Sequence, residues 1–273
     1  MPNLPEPTLT VQDHVAEIRF GDPARRNALG RAFWEALPAL MAKIETAPEV
    51  RALIIRSEGP HFCSGIDLDY LKSLFPAEGP DPARDREKLR REIVALQDVI
   101  NRVASCRVPV IAVVQGACMG AGLDLVAATD MIYASADAGF TIQETNIGLA
   151  ADLGSLQRLP HRMNTGLLRE LAFTGRTMGA EEALSCGLVA SVHDDQGAAL
   201  AHARTVAATI AAKSPMAILG TKRALTMGNK AEIERGLEYI ATWNAGLLSL
   251  ADMETAFKAI ARKETPGYPD LSD

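Results

Sequence analysis

Three carboxylates stand where carboxylates are costly. Asp124 falls inside Leu123-Asp124-Leu125-Val126, Glu144 follows Phe140-Thr141-Ile142-Gln143, and Asp152 sits in Ala150-Ala151-Asp152-Leu153 with apolar neighbours on both sides. A charge in apolar surroundings is unfavourable unless it is paired or used. A helix cap or an ion pair accounts for one such residue. Three of them close together, beside a glycine-rich turn, point to acid–base chemistry. Burial lifts a carboxyl toward neutral pH, where it can both hold and accept a proton.

The glycine turn is Gly116-Ala117-Cys118-Met119-Gly120-Ala121-Gly122. It has the setting of a dinucleotide fingerprint but fails its spacing, because Leu125 stands where the last glycine is required. No Gly-Lys-Ser/Thr follows either, so a phosphate-binding loop is excluded. Two readings remain: a tight turn from strand to helix, or backbone N–H groups aimed at an anion or a developing oxyanion. Phe62-Cys63-Ser64-Gly65-Ile66-Asp67 is a second place of this kind, where Gly65 frees the turn and the next N–H faces a cleft. Two such N–H groups converging would make an oxyanion hole. Nucleophile and metal chemistries find no support, since there is no Gly-x-Ser-x-Gly elbow and no His-Glu-x-x-His among the five histidines. His61 reads as a surface-loop histidine. Cys63, Cys106, Cys118 and Cys186 are too scattered for a disulfide framework or a metal site, and read as small apolar residues.

The elements that must carry these residues alternate between strand and helix. Leu9–Val11 and Val15–Phe20 bracket Gln12-Asp13-His14 as a hairpin. A helix over Arg31–Thr46 buries Phe33, Leu37, Leu40, Met41 and Ile44. Ala52–Ile55 reads as a buried strand, and Pro76–Asp85, rich in proline and acid, as a loop of the kind that covers a site. A long helix from about Arg84 to Ser105 presents Ile93, Leu96, Ile100 and Val103. Strands follow at Val110–Val114, Met131–Ala134 and Leu188–Val192, with Val108–Thr129 running strand, glycine-lined turn, helix. Strands separated by helices of this length imply parallel pairing. From Gln196 the chain reads as helix: Gln196–Ala212, Pro215–Met227 behind a Ser214 cap, Ala231–Ser249 and Asp252–Arg262. The expected division is an α/β core over 1–195 and a helical region over 196–273.

With 273 residues the chain is long enough for a large core. Its 28 basic and 34 acidic side chains give a net charge of −6 without basic runs, which argues against nucleic acid or an anionic membrane as partner. The apolar run around Asp124 is interrupted by Pro109, Gln115 and glycines, so no membrane insertion is expected. Neither an apolar leader at the start nor Ser-Lys-Leu at the end is seen, and the cytoplasm is the expected location.

Pro109-Val110-Ile111-Ala112-Val113-Val114-Gln115-Gly116-Ala117-Cys118-Met119-Gly120-Ala121-Gly122-Leu123-Asp124-Leu125, then Asp130, resembles the signature of the crotonase (enoyl-CoA hydratase/isomerase) superfamily. Arg26-Asn27-Ala28-Leu29 and the Phe62–Asp67 turn resemble its two earlier motifs, in the same order along the chain. The resemblance implies a fold of repeated ββα units with a C-terminal helical region that mediates trimers, often paired into hexamers. It implies acyl-coenzyme A thioesters as ligands, with the thioester oxygen held by the N–H groups of Ile66 and Ala121. Alanine at the second position departs from the family's usual glycine and brings a methyl group close to the thioester. No metal is implied, and no cofactor beyond the coenzyme A of the substrate itself.

Within the superfamily the hydratases carry glutamates at the positions of Asp124 and Glu144; aspartate at the first departs from them. The set Asp124, Glu144 and Asp152, with Ala241-Thr242-Trp243-Asn244, resembles the branch that isomerises 3,5-dienoyl-CoA to 2,4-dienoyl-CoA. That reaction moves one proton off C2 and another onto C6, which asks for two carboxyls at different depths. Glu144 is read as the group at C2 and Asp152 as that at C6, with Asp124 tuning the pair and the order of the two left open. Hydration of 2-enoyl-CoA, another acyl-CoA isomerisation, or acyl-CoA binding without catalysis are the alternatives. Because coenzyme A is a polyanion and this chain is acidic, its binding must be local. Arg25, Arg26 and Lys258, with Lys263 behind it, are the candidate cations, and Ser64, Gly65, Asp67 and Gly120 the candidate turn contacts.

Overall fold

The computed structural model describes residues 5–75 and 81–270. In chain order the elements are β1 (Thr8–Gln12), β2 (Val15–Phe20), α1 (Arg31–Thr46), β3 (Ala52–Ser57), α2 (Leu68–Leu74), α3 (Pro82–Ala104), β4 (Val110–Val114) and β5 (Ala117–Met119). They continue with α4 (Ala121–Ala127), β6 (Met131–Ser135), β7 (Gly139–Thr141), α5 (Ser155–Arg158), α6 (Thr165–Thr174), β8 (Met178–Gly179), α7 (Ala180–Ser185) and β9 (Ser191–His193). Four helices close the chain: α8 (Gln196–Ala211), α9 (Pro215–Met227), α10 (Lys230–Leu247) and α11 (Leu250–Arg262).

The six-stranded sheet runs β1-β2-β3-β4-β6-β9, antiparallel only between β1 and β2. Asp13 and His14 turn that hairpin with φ of 48° and 68°, the doubly left-handed geometry a two-residue hairpin needs. The central β4 is apolar on every residue, and β3 over its first four, because both faces are covered there. Leu53, Ile55, Val110, Ala112 and Val114 enter the main core, whereas Ala52, Ile54, Ile111 and Val113 meet Ala199, Ala203 and Ala207 of α8. A stripe of alanines lets that helix lie close on the sheet. Arg51 ties it down by donating to the Ala211 carbonyl at 2.8 Å.

The smaller sheet, β5-β7-β8, is built from two- and three-residue strands. The chain alternates between the sheets: β4 to the large and β5 to the small, then β6 to the large and β7 to the small. Behind β3, the Cys63–Ile66 segment makes a single bridge to Cys118 and so occupies the place of β5 one turn earlier. This is the ββα repetition, with the small strands replacing what the sequence presents as one glycine-lined turn.

Other boundaries differ from expectation for local reasons. Asp81 caps α3 by accepting from Ala83 and Arg84 N–H, and Pro82 occupies its first position, so helix replaces loop over 82–85. Residues 76–80 of the expected covering loop lie outside the described residues. Leu188 and Val189 are buried but precede β9, which begins at Ser191. In α1, Pro38 removes one helical N–H without ending the helix, which six buried side chains hold in place. Lys222 anchors the otherwise exposed α9, donating to Asp130 Oδ2 at 2.7 Å and the Val108 carbonyl at 2.8 Å.

Candidate active site

The two turns set their N–H groups by elimination. Gly65 O accepts from Leu29 N–H at 2.8 Å and Leu29 O from Asp67 N–H at 3.0 Å, so the bridge to Leu29 uses the groups flanking Ile66. The Gly65 N–H is taken by Cys63 Sγ at 3.2 Å. That thiol is inert, pushed up to about 12 by burial. On the other turn Gly120, at φ +50°, donates to Thr141 O and offers its carbonyl to Leu123 and Asp124 N–H, which starts α4 at Ala121. Among the described residues neither the Ile66 nor the Ala121 N–H has a backbone or side-chain acceptor. Both residues line one cavity of roughly 770 Å³.

Two of the three carboxylates line the same cavity. Glu144 opens the 3₁₀ turn Glu144–Ile147, with Oε1 close enough to Gly120 that a Cβ there would lie 3.1 Å away. Its Oε2 is buried without a partner among the described residues. Burial, and then the charge of Asp124, raise its carboxyl well above the usual range. Asp152 is raised to about 7, by burial first and opposed by a hydrogen bond from Asn244 Nδ2 to Oδ2 at 2.7 Å. Asp124 is fully buried behind them and does not line the cavity. It accepts from Ser155 N–H and is raised to about 6 by burial. Arg158, itself lowered to about 10 by burial, is a cation whose charge acts on Asp124. Two carboxyls of elevated proton affinity, with a third buried behind them, therefore line a cavity that presents two free N–H groups, which is a device for moving protons next to a developing oxyanion.

The remaining predicted residues divide. Arg25, Arg26, Ser64, Gly65, Asp67 and Gly120 all line the cavity. Asp67 is occupied there: it caps α2 through Tyr70 N–H at 3.0 Å and pairs with Arg25 Nη2 at 2.8 Å. Arg26 is left-handed at φ 51° and its carbonyl accepts the Ser64 N–H, tying the first motif to the second. Lys258 is not brought to the site. It is exposed on α11 and pairs with Glu254 at 2.6 Å, while Phe257 and Ile260, on another face of that helix, reach the cavity. Lys263 ends α11, exposed. His61 is half-buried rather than a surface residue, and its Nδ1 accepts the Ala117 N–H at 3.2 Å. Residues outside the motifs are Lys72 on the cavity lining and Gln97 beside Asp152, while Asn244 ends the Ala241–Asn244 motif, which assigned it no role. Its place as a polar residue on the buried stripe Leu237, Ile240, Ala241, Asn244 is the signal that points it inward.

Fold and site together define a crotonase-type protein. The family model for enoyl-CoA hydratase/isomerase matches residues 10–269, and the chain belongs to that family. It is 39% identical over 94% of its length to Delta(3,5)-Delta(2,4)-dienoyl-CoA isomerase, peroxisomal, of Arabidopsis thaliana, covering 93% of that protein. It is 40% identical over 93% of its length to the mitochondrial protein of the same name from Mus musculus, covering 78% of it. The crystal structure of enoyl-CoA hydratase/isomerase from Pseudoalteromonas atlantica T6c superposes with a TM-score of 0.82 at 25% identity, over 97% of this chain and 100% of that one.

Proposed function

We propose that this protein is an isomerase converting 3,5-dienoyl-CoA to 2,4-dienoyl-CoA in fatty-acid β-oxidation. The observation that carries the reading is the placement of two buried carboxyls of raised proton affinity, Glu144 and Asp152, in the cavity that also offers the Ile66 and Ala121 N–H groups. The relatives named above agree with it. With the thioester oxygen on the two N–H groups, the carboxylate of Glu144 takes a proton from C2. The C–H electron pair enters the conjugated system and negative charge gathers on the thioester oxygen. As the carbonyl re-forms, the double bonds shift to C2=C3 and C4=C5, and C6 takes the proton of Asp152. Asp124 transfers nothing and adds the charge that keeps its neighbours' proton affinity high. No metal or redox group enters these steps.

Leu71, Leu74, Ile93, Leu96 and Phe257 supply an apolar wall for the acyl chain. Arg25, Arg26 and Lys72 at the rim are the proposed partners of the coenzyme A phosphates. Exposed Met216, Leu225, Met227, Tyr239 and Leu247 on the last helices support assembly into a homotrimer, or two trimers as a hexamer. Among the described residues no helix is long and apolar enough to cross a membrane. The cytoplasm is the proposed location, although the two named relatives are designated peroxisomal and mitochondrial.

The test is absorbance during incubation with 3,5-dienoyl-CoA. Conjugation of the diene to the thioester creates new near-ultraviolet absorption. No such signal, together with rapid hydration of 2-enoyl-CoA, would establish a hydratase instead.

A further inference from the structure

Among the described residues, one side chain of the C-terminal helices hydrogen-bonds a proton-transfer group. Asn244 is only 3% exposed on the buried stripe of α10. Its Nδ2 donates to Asp152 Oδ2 at 2.7 Å and to the Ala150 carbonyl at 2.8 Å. An amide nitrogen carries two protons, and these acceptors use both. Because a backbone carbonyl can only accept, Ala150 also decides which end of the amide faces Asp152. The flipped amide would set oxygen against two oxygens. The backbone of Asp152 is held from the other side, where Gln97 Nε2 of α3 donates to its carbonyl at 2.7 Å and to the Leu237 carbonyl of α10 at 3.0 Å. The Asp152 segment is thus clamped between two helices.

We propose that Asn244 is a positioning residue for Asp152, which lines the cavity: it stands as a fixed donor on Oδ2 and leaves Oδ1 as the oxygen that exchanges a proton with the substrate. The inference rests on the isomerase reading and deepens it. An N–H donor stabilises negative charge on the oxygen it meets, so the exchangeable proton resides on the other one. In the transfer to C6 the Oδ1–H bond breaks, its electron pair stays on Oδ1, and a pair from the conjugated enolate forms the C6–H bond. The charged groups around this carboxyl are Asp124 from α4 and Glu144 from the 3₁₀ turn, with Arg158 of α5 acting on Asp124. From α10 it meets the Asn244 amide, whereas the Gln97 amide of α3 reaches the backbone carbonyl of the same residue.

The experiment compares Asn244→Leu and Asn244→Ser with the unaltered protein, reading kcat, KM and their pH dependence on 3,5-dienoyl-CoA. A carbon-13 carboxyl titration of Asp152, assigned with Asp152→Asn, follows the group without relying on turnover. Removing the donor withdraws support from the anion, so the Asp152 titration moves up by about one pH unit, and the matching limb of the activity profile moves with it. For Asn244→Leu kcat falls about 10- to 100-fold while KM changes less than about threefold. Asn244→Ser, which keeps a hydroxyl donor, recovers part of both effects. Loss of kcat with an unmoved Asp152 titration, or an unchanged kcat, overturns the proposal. If the leucine variant does not fold, the serine variant decides by the same two readings, an intermediate shift supporting the proposal and no shift overturning it. Absence of turnover in the unaltered protein defeats the isomerase reading itself, a result separate from either.

Discussion

Asp124 and Ser155 meet across 2.6 Å, carboxylate Oδ1 to backbone N–H, while Asp124 Oδ2 is buried with no partner among the described residues. This contact fixes the first carboxylate at the start of α5, behind the cavity rather than in it. Asp124 therefore acts on the reaction through its charge.

Replacing Asp124 by Asn keeps an oxygen for the Ser155 N–H and removes that charge. Glu144 and Asp152 are both pushed up in part by Asp124, so both should titrate lower in the variant. The expected result is a kcat–pH profile displaced to lower pH by about half a unit to one unit. A profile that stays in place would show that the three carboxyls do not interact.

Ala121 offers a clean test of the oxyanion contact. It is the first residue of α4, where proline is well tolerated and its missing N–H breaks no helical bond. Ala121→Pro removes the proposed donor and sets a ring carbon in its place. We expect kcat to fall by about 10²- to 10³-fold. The melting temperature should move by less than about 3 °C. A variant with full turnover would remove Ala121 from the site.

Asp152 also links stability to pH. Its carboxyl is raised from 3.8 to about 7 in the folded protein, chiefly by burial. The folded state then holds a proton that the unfolded chain has released, so the contribution is fully present below pH 3.8 and is lost as pH rises through about 7. Asp152→Asn abolishes this dependence. Relative to the unaltered protein, its melting temperature should climb by about 2–6 °C between pH 5 and pH 8, with water in the cavity reducing the full effect. A difference constant over that range would contradict the elevated carboxyl.

Much of the fold was legible because long periods are unambiguous. The stripe of α1 and the Ser214-Pro215 start of α9 gave their boundaries directly, and Gln12-Asp13-His14 gave the hairpin. The small sheet was not, since strands as short as Ala117–Met119 and Gly139–Thr141 carry no readable alternation and pair across distant segments. The same holds in the site. Asp124, Glu144 and Asp152 announced themselves as charges in apolar runs. The Asn244 contact depends on how α10 crosses the Asp152 segment, which no local pattern encodes. Lys258 shows the converse: its charge suggested a ligand contact, but the helical turn that brings Phe257 and Ile260 to the cavity points Lys258 to Glu254.

The most direct test runs the reaction on 3,5-dienoyl-CoA in deuterium oxide and locates the label in the product. Two separate carboxyls, one removing a proton at C2 and another delivering one at C6, predict 2,4-dienoyl-CoA carrying solvent deuterium at C6. Protium at C6, which a single base carrying one proton along the chain would leave, contradicts the account, as does a β-hydroxyacyl-CoA product.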